Sequence, residues 1–360
     1  MGFVEVMTTL KAYAFMVLLQ FGYSGMFVIS VASIKRGMNH FVLVVYRNAI
    51  AAIVIAPFAL YFERKVRPKM TLTTVVKIAA LALLEPVLDQ NLYYMGANLT
   101  SASFASALYN MIPAITFIMA IILRVEKITI KSRRSQAKIA GSVVTVIGAL
   151  LMILYKGPVV EFFWSKRRSY QGAASSQSSN WLTGTLLLLA SCLCWSGFYV
   201  LQSNTLESYS AELSLTTLIC LMGAMMSSVV TLAVEGANAK PWSIGWDMRL
   251  ATAVYSGVIC SGITYYVQGI VMKERGPVFV TAFNPLCMII TAVLGSIILA
   301  EQITLGSVIG AVIIVIGLYA LIWGKSKDQA SQSSDTSAIL QLPVAATDDS
   351  KLESNSHHSK

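Results

Sequence analysis

The heptapeptide YSGMFVI at residues 23–29 has a near copy in WSGFYVL at residues 195–201. We call the alignment that places Tyr23 on Trp195 the repeat register. Without any further shift, it also places Tyr93 on Tyr265, Tyr94 on Tyr266 and Pro113 on Pro285. Several matches in one register indicate an internal repeat, in which each copy is one structural unit. The chain is therefore predicted to consist of two related halves.

Composition assigns both halves to a membrane. Of 360 residues, 56% are hydrophobic and 12% are charged, whereas soluble domains are about 45–50% apolar and about 25% charged. So little charge cannot cover the surface of a soluble globule of this length. The net charge of +10 comes from basic clusters between apolar runs, which orient a membrane protein. Nucleic-acid binding is therefore not expected.

Apolar segments of about 20 residues are long enough to span hydrocarbon roughly 30 Å thick as helices. Ten such spans are predicted, of which the third and eighth are less apolar than the rest: 12–34, 41–62, 74–95, 102–123, 135–155, 182–203, 213–235, 250–271, 278–299 and 305–323. The predicted fold class is an all-α integral membrane protein.

These spans divide into two five-helix repeats. The predicted layout is a cytosolic N-terminus (1–11), the first repeat (12–155), a polar loop outside the cytosol (156–181), the second repeat (182–324) and a disordered cytosolic tail (325–360). Because five is odd, the second repeat enters the membrane from the opposite side, and the repeats are inverted. Secondary transporters often have this architecture, with the substrate site near the midplane.

Lysine and arginine in the loops predict the orientation. Loops on the N-terminal side contain 16 of these residues and the opposite loops contain 8. Short cytoplasmic loops carry the excess of positive charge. Both termini are therefore predicted to be cytosolic.

The third span contains LLEPVLDQNLYYMG at residues 83–96. Glu85 and Asp89 are four residues apart and share a helix face. A carboxylate at a helix centre costs roughly 2.5–3.5 kcal/mol on insertion scales, so it should face the bundle interior or a wet cavity. Pro86 removes a backbone hydrogen bond and is expected to kink the helix, as suits a helix that lines a cavity.

Arg47 is predicted to lie at a depth similar to that of Asp89, and we expect these two residues to form a structural charge pair. Glu85 would then be the unpaired charge. In one interpretation both carboxylates are structural and are satisfied by Arg47 or by neighbouring amides. In the other, Glu85 contacts the ammonium group of a substrate or exchanges protons.

Other polar residues occur near the centres of matching spans in the two halves. Each alone is more often a packing residue, but together they mark a predicted cavity wall: Glu85, Asp89, Gln90, Tyr93, Gln20, Tyr23, Ser24, Asn110, Trp195, Tyr199, Gln202, Tyr265, Gln268 and Asn284. Small residues allow close helix approach. The glycines of spans five and ten are interpreted as packing residues, with a homodimer surface as the alternative: Gly141, Gly148, Gly310 and Gly317.

Long motifs from about residue 11 to 327 are similar to the plant Walls-Are-Thin-related, nodulin-21-like transporters. They include LQFGYSGMFVIS, EPVLDQNLYYMG, TSASFASALYNMIPAITFIMA, WSGFYVLQS and YYVQGIVMKERGPVFVTAFNPL. The resemblance implies membership of the drug/metabolite transporter superfamily, with ten helices in two inverted EamA units around a central cavity. It also implies amino-acid transport, often bidirectional, usually at the plasma membrane. Some relatives instead move auxin at the vacuolar membrane.

The expected function is secondary transport of an amino acid by alternating access. The alternative is a transporter of auxin or another small organic acid or metabolite at the tonoplast.

An enzyme is not expected. An intramembrane aspartyl protease needs two facing acids on different helices, whereas Glu85 and Asp89 lie on the same predicted helix. No Walker A pattern occurs in the sequence, which argues against ATP-driven pumping. Cys192 and Cys194 lack a second ligand cluster that would complete a metal set, and neither a metal nor a cofactor is expected.

Overall fold

The computed structural model describes residues 3–100, 105, 108–123, 133–155, 157–158, 178–236, 240–298, 305–306, 308–317, 319–320 and 323. All secondary structure in these residues is helical. The elements are α1 (Phe3–Lys35), α2 (His40–Phe62), α3 (Leu72–Ala82), π1 (Leu83–Asp89), α4 (Gln90–Leu99), a 3₁₀ turn (Tyr109–Met111), α5 (Ile112–Ile122), α6 (Arg133–Leu154), α7 (Ser178–Ser208), α8 (Glu212–Glu235), a second 3₁₀ turn (Lys240–Trp242), α9 (Met248–Tyr255), π2 (Ser256–Thr264), α10 (Tyr265–Arg275), α11 (Pro277–Thr281), α12 (Asn284–Ile298) and α13 (Val308–Gly317).

Six helices in the described part of the chain are long and apolar enough to cross a membrane: Leu10–Ile34, His40–Phe62, Trp181–Ser208, Glu212–Glu235, Met248–Arg275 and Pro277–Ile298. They agree with an all-helical integral membrane protein. The third predicted span is helical from Leu72 to Leu99 and is interrupted by π1. Most of the predicted polar loop, residues 156 and 159–177, and the predicted tail beyond residue 324 lie outside the described residues.

Side-chain caps explain where several helices begin. Asn39 Oδ1 accepts a hydrogen bond from the Phe41 N–H at 2.9 Å at the start of α2. Asp247 caps α9 by accepting from the Arg249 N–H at 3.0 Å. Such caps satisfy backbone donors that have no partner inside the helix. A hydrogen bond from the Arg249 side chain also lowers the pKa of the exposed Asp247 carboxyl below its ordinary value.

The break predicted at Pro86 is a π-helical segment. Proline has no backbone N–H and so removes one bond from the helical ladder. The Gln90 N–H donates to the Glu85 carbonyl, five residues earlier, which is the bond that defines a π-helix. π2 contains no proline, and the sequence did not predict it. In the repeat register π1 falls on 255–261, so the two π segments overlap.

Helices α2 and α8 lie antiparallel. At one end of the pair, the Asn39 side-chain amide donates to Glu235 Oε1 at 2.7 Å. At the other end, the Glu63 carboxylate accepts from the Leu213 and Ser214 N–H groups at 2.9 and 2.7 Å. Glu63 therefore caps the beginning of α8, where Ala211 supplies no side-chain cap.

The glycines of α6 and α13 pack against each other within one chain. A Cβ added to Gly317 would lie 2.7 Å from the Gly141 carbonyl oxygen, and one added to Gly148 would lie 3.0 Å from that of Gly310. Only a missing side chain allows helix backbones to approach this closely. The packing interpretation agrees with this contact, and the same glycines are not free to form a surface between two chains.

Candidate functional site

A chamber lined mostly by buried side chains lies where π1 and α4 meet α1, α2 and α7. We call it the charged chamber. Its lining combines ionisable groups with aromatic rings: Tyr23, Met26, Phe27, Arg47, Glu85, Asp89, Gln90, Tyr93, Tyr94, Tyr109 and Trp195. Both halves of the chain contribute to it, the second half through Trp195.

Arg47 pairs with Glu85 in this chamber. Arg47 Nη2 lies 3.9 Å from Glu85 Oε1, and these residues are 3% and 2% exposed. Gln90 Nε2 donates to the same Glu85 oxygen at 2.9 Å. The predicted Arg47–Asp89 pair is wrong. Equal depth does not fix the direction of a side chain, and the wider π-helical turn changes the angle between residues 85 and 89.

Asp89 instead faces α7 and is held by two hydroxyl groups. Ser191 Oγ donates to Asp89 Oδ1 at 2.5 Å, and Tyr109 Oη donates to the same oxygen at 3.1 Å. The two hydroxyl oxygens are 2.7 Å apart. Both partners are absent from the predicted cavity set. Ser191 could have been found from its spacing, since it lies four residues before Trp195 on one face of α7.

The guanidinium of Arg47 also bonds to π2. Arg47 Nε donates to Ser261 Oγ at 2.6 Å, and Nη1 contacts the Met26 sulfur at 3.2 Å. In the repeat register, Ser261 is the counterpart of Asp89. A Cβ added to Gly257, the counterpart of Glu85, would lie 2.7 Å from the Arg47 carbonyl oxygen. Arg47 is therefore held between two matching π segments.

The charged chamber has spare hydrogen-bonding capacity. Three of its buried polar atoms have no hydrogen-bond partner within the described part of the chain: Glu85 Oε2, Gln90 Oε1 and the Tyr23 hydroxyl. Among the described lining residues, two are carboxylates and one is a guanidinium. Leaving such groups buried and unsatisfied is costly. The arrangement therefore suits a bound group that brings donors and positive charge.

A second chamber adjoins the first and shares part of its lining. We call it the apolar chamber. Its lining joins α1, the 3₁₀ turn, α5, α7 and α12: Gln20, Tyr23, Phe27, Tyr109, Ile112, Trp195, Asn284, Cys287, Met288 and Thr291. Four aromatic residues, which we call the aromatic wall, line both chambers: Tyr23, Phe27, Tyr109 and Trp195.

Eight of the 14 predicted cavity residues line these two chambers: Glu85, Asp89, Gln90, Tyr93, Tyr23, Trp195, Gln20 and Asn284. The other six line neither chamber and contact the residues around them. Ser24 Oγ donates to the Cys287 carbonyl at 2.8 Å, and Gln268 Nε2 donates to Gln202 Oε1 at 3.0 Å. Tyr199 stacks 6.1 Å from Trp195, and Tyr265 packs 5.5 Å from Phe198. Asn110 Nδ2 contacts the Met288 sulfur.

The model of the EamA-like transporter family matches this chain twice, at residues 10–154 and 182–323. The chain belongs to the plant WAT1-related EamA transporter family. WAT1-related protein At1g21890 of Arabidopsis thaliana is 53% identical over 96% of this chain and 92% of its own length. WAT1-related protein At4g08290 of the same plant is 51% identical over 98% of this chain and 94% of its own.

The resemblance predicted from the motifs is thus confirmed. A solved structure, described as "Crystal structure of protein", superposes with a TM-score of 0.58 at 16% identity and covers 85% of this chain and 98% of that one. At this identity the likeness concerns the fold alone. As an EamA transporter, the chain is a multi-pass membrane protein of the drug/metabolite superfamily.

Proposed function

We propose that this transporter moves amino acids across a membrane by alternating access, in either direction and down their gradient. The observation that carries the proposal is the buried charged chamber, in which Arg47, Glu85 and Asp89 lie beside unpartnered polar atoms. Buried ionisable residues inside a membrane bundle mark substrate or ion pathways by default.

The balance of charge favours a zwitterion over a simple anion. Glu85 Oε2 has no hydrogen-bond partner among the described residues, so it can accept from a substrate ammonium group. Arg47 Nη2, at 3.9 Å from Glu85, can turn to a substrate carboxylate. An anion such as auxin would add a third negative group beside two carboxylates. An amino acid supplies both signs of charge.

If the two halves are inverted repeats, they can move relative to each other around this site. Helices α1 and α7 correspond in the repeat register, as do α5 and α12. Their neighbours correspond too, because α1 packs against α12 and π2 while α7 packs against α5 and π1. Two corresponding helices, α2 and α8, are antiparallel, as an inverted repeat requires. These relations and the two family matches support rocking of one half against the other.

Contacts between the halves occur near both ends of the α2–α8 pair. At one end, the Tyr46 hydroxyl donates to the Trp242 carbonyl at 2.8 Å, beside the Asn39–Glu235 bond. At the other, Lys77 Nζ donates to Asn204 Oδ1 at 2.7 Å, beside the Glu63 cap of α8. Alternating access would break one group of contacts while the other holds.

The proposed location is the plasma membrane, with both termini in the cytosol, as the distribution of lysine and arginine favours. The vacuolar membrane is the alternative. A homodimer remains a separate proposal, which the α6–α13 glycines do not support.

The decisive experiment reconstitutes the full chain in liposomes loaded with one amino acid and follows counterflow of labelled amino acids, with auxin as a separate arm. We expect amino-acid counterflow in the wild type. We expect Glu85→Gln either to reduce its rate or to change its pH profile. Auxin counterflow without amino-acid counterflow would overturn the proposal. An unchanged rate and pH profile in Glu85→Gln would exclude a transport role for that carboxylate.

A further inference from the structure

The apolar chamber begins where the charged chamber ends, at the aromatic wall. We infer that the apolar chamber receives the side chain of the transported amino acid and selects neutral side chains of medium to large size. Leucine, methionine, phenylalanine and glutamine fit this class; aspartate, glutamate, lysine and arginine do not. The inference rests on the proposed function, because it needs the substrate head group in the charged chamber.

The aromatic wall lies between the two chambers. The rings of Tyr23 and Trp195 are 5.8 Å apart, and those of Tyr109 and Trp195 are 5.0 Å apart. Phe27 lies 6.2 Å from Tyr109. Edge-on and tilted aromatic contacts at these distances are favourable. The rings contact one another, so a substrate held by Glu85 and Arg47 would extend its side chain into the apolar chamber when one of these rings turns aside.

The lining of the apolar chamber determines which side chains it accepts. None of the described residues that line it is charged. A charged side chain placed there would lose its hydration without gaining a counter-ion, which is unfavourable. The sulfurs of Cys287 and Met288 and the methyl groups of Ile112 instead offer dispersion contacts. Methionine in particular adapts its shape to different apolar partners.

A few polar atoms extend this selectivity to amides. Gln20 is 1% exposed, and its Oε1 has no hydrogen-bond partner within the described residues. Asn284 and Thr291 also line the chamber. The carboxamide of a glutamine substrate, or an indole N–H, could donate to Gln20 Oε1. An aspartate or glutamate substrate supplies acceptors and cannot satisfy that oxygen.

The lining also favours larger side chains over small ones. A leucine, methionine or phenylalanine side chain can contact Ile112, Cys287 and Met288, which line the apolar chamber. Glycine and alanine substrates reach fewer of these atoms, gain less dispersion energy and are expected to bind more weakly.

The first test uses the wild-type full chain in liposomes and needs no variant. Unlabelled amino acids compete with labelled leucine for counterflow. We expect leucine, methionine, phenylalanine and glutamine to compete at least ten-fold better than aspartate or lysine, with alanine between them. Equal or stronger competition by aspartate or lysine would overturn the inference, while amino-acid counterflow itself would still support the proposed function.

The second test narrows the apolar chamber from α12 with Cys287→Leu. Cys194→Leu on α7 is the control, since Cys194 lines neither chamber. We expect Cys287→Leu to lower leucine counterflow several-fold relative to alanine counterflow, and Cys194→Leu to leave that ratio unchanged. An unchanged ratio in Cys287→Leu would contradict the inference.

If Cys287→Leu does not fold, Cys287→Ala provides the opposite test. The wider chamber should raise the ratio of phenylalanine counterflow to alanine counterflow. No increase in this ratio would count against the inference.

Discussion

Arg47 Nη2 lies 3.9 Å from Glu85 Oε1, and both residues are almost completely buried. This distance is too long for a direct hydrogen bond, so the two charges attract without being locked together. Glu85 is bonded more closely by Gln90, and Arg47 by Ser261. The distance between the two charged groups is therefore longer than the hydrogen bonds that hold each of them. A charged substrate group could interact with either residue without first breaking a direct bond between them.

Removing the positive member of this pair should destabilise the protein. Arg47→Gln leaves Glu85 and Asp89 without a cation in the charged chamber, and breaking a buried pair in this way typically costs about 3–5 kcal/mol. The double variant Arg47→Gln/Glu85→Gln should recover much of that loss. Thermal unfolding of the purified protein in detergent measures both effects. A double variant no more stable than Arg47→Gln would show that the pair does not couple the two residues.

Ser191 should be needed to hold Asp89 in place. Ser191→Ala removes the 2.5 Å hydrogen bond to Asp89 Oδ1, and a buried acceptor that loses its donor costs about 1–3 kcal/mol. Ser228→Ala is the matched control, because Ser228 Oγ bonds to the Ala224 carbonyl of its own helix. Unfolding temperatures should separate the two variants. Equal stability of both would show that Tyr109 alone suffices for Asp89.

The crossing of α6 and α13 should tolerate no side chain at Gly317. A Cβ there would lie 2.7 Å from the Gly141 carbonyl oxygen, and overpacking of this kind costs about 1–3 kcal/mol. Gly245→Ala is the control, because nothing lies within 4 Å of a Cβ at that position. We expect thermal unfolding to shift downward in Gly317→Ala only. If Gly317→Ala is as stable as wild type, the two helices do not cross as described.

Glu63 and Glu235 are counterparts in the repeat register and join α2 to α8 at opposite ends. Glu63→Ala uncaps α8, and loss of a cap costs about 0.5–2 kcal/mol. Glu235→Ala removes the bond from Asn39. Each variant should favour opening at its own end. Thiol-reagent labelling of Cys287, applied to one side of the membrane at a time, should increase from opposite sides in the two variants. An increase from the same side in both would contradict alternating access through these two ends.

The sequence predicted features whose physical cause is local. Pro86 lacks a backbone N–H whatever its surroundings are, so the sequence alone predicts a break in the helical hydrogen bonding there. The buried carboxylates of Glu85 and Asp89 had to face the interior, and they line a chamber. The repeat register could be read from residues 23–29 and 195–201 because the matching side chains are large and distinctive.

Features that depend on the direction of a side chain around its helix could not be predicted in the same way. Depth suggested Asp89 as the partner of Arg47, but the π-helical turn directs Asp89 to α7 and leaves Glu85 near Arg47. π2 contains no proline from which a break could be predicted, and its glycine and serine residues resemble ordinary packing residues. The spacing of Ser191 from Trp195 places it on the same face of α7, but the sequence does not show that Asp89 lies opposite this face.

The most direct measurement of the central claim is stabilisation by substrate. The purified full chain is heated with and without a saturating amino acid, and a ligand at about 100 times its dissociation constant should stabilise it by about 2.7 kcal/mol. We predict a clear rise in the unfolding temperature of wild type and little or no rise in a folded Glu85→Gln variant. An equal rise in both proteins would show that the amino acid binds somewhere other than the charged chamber.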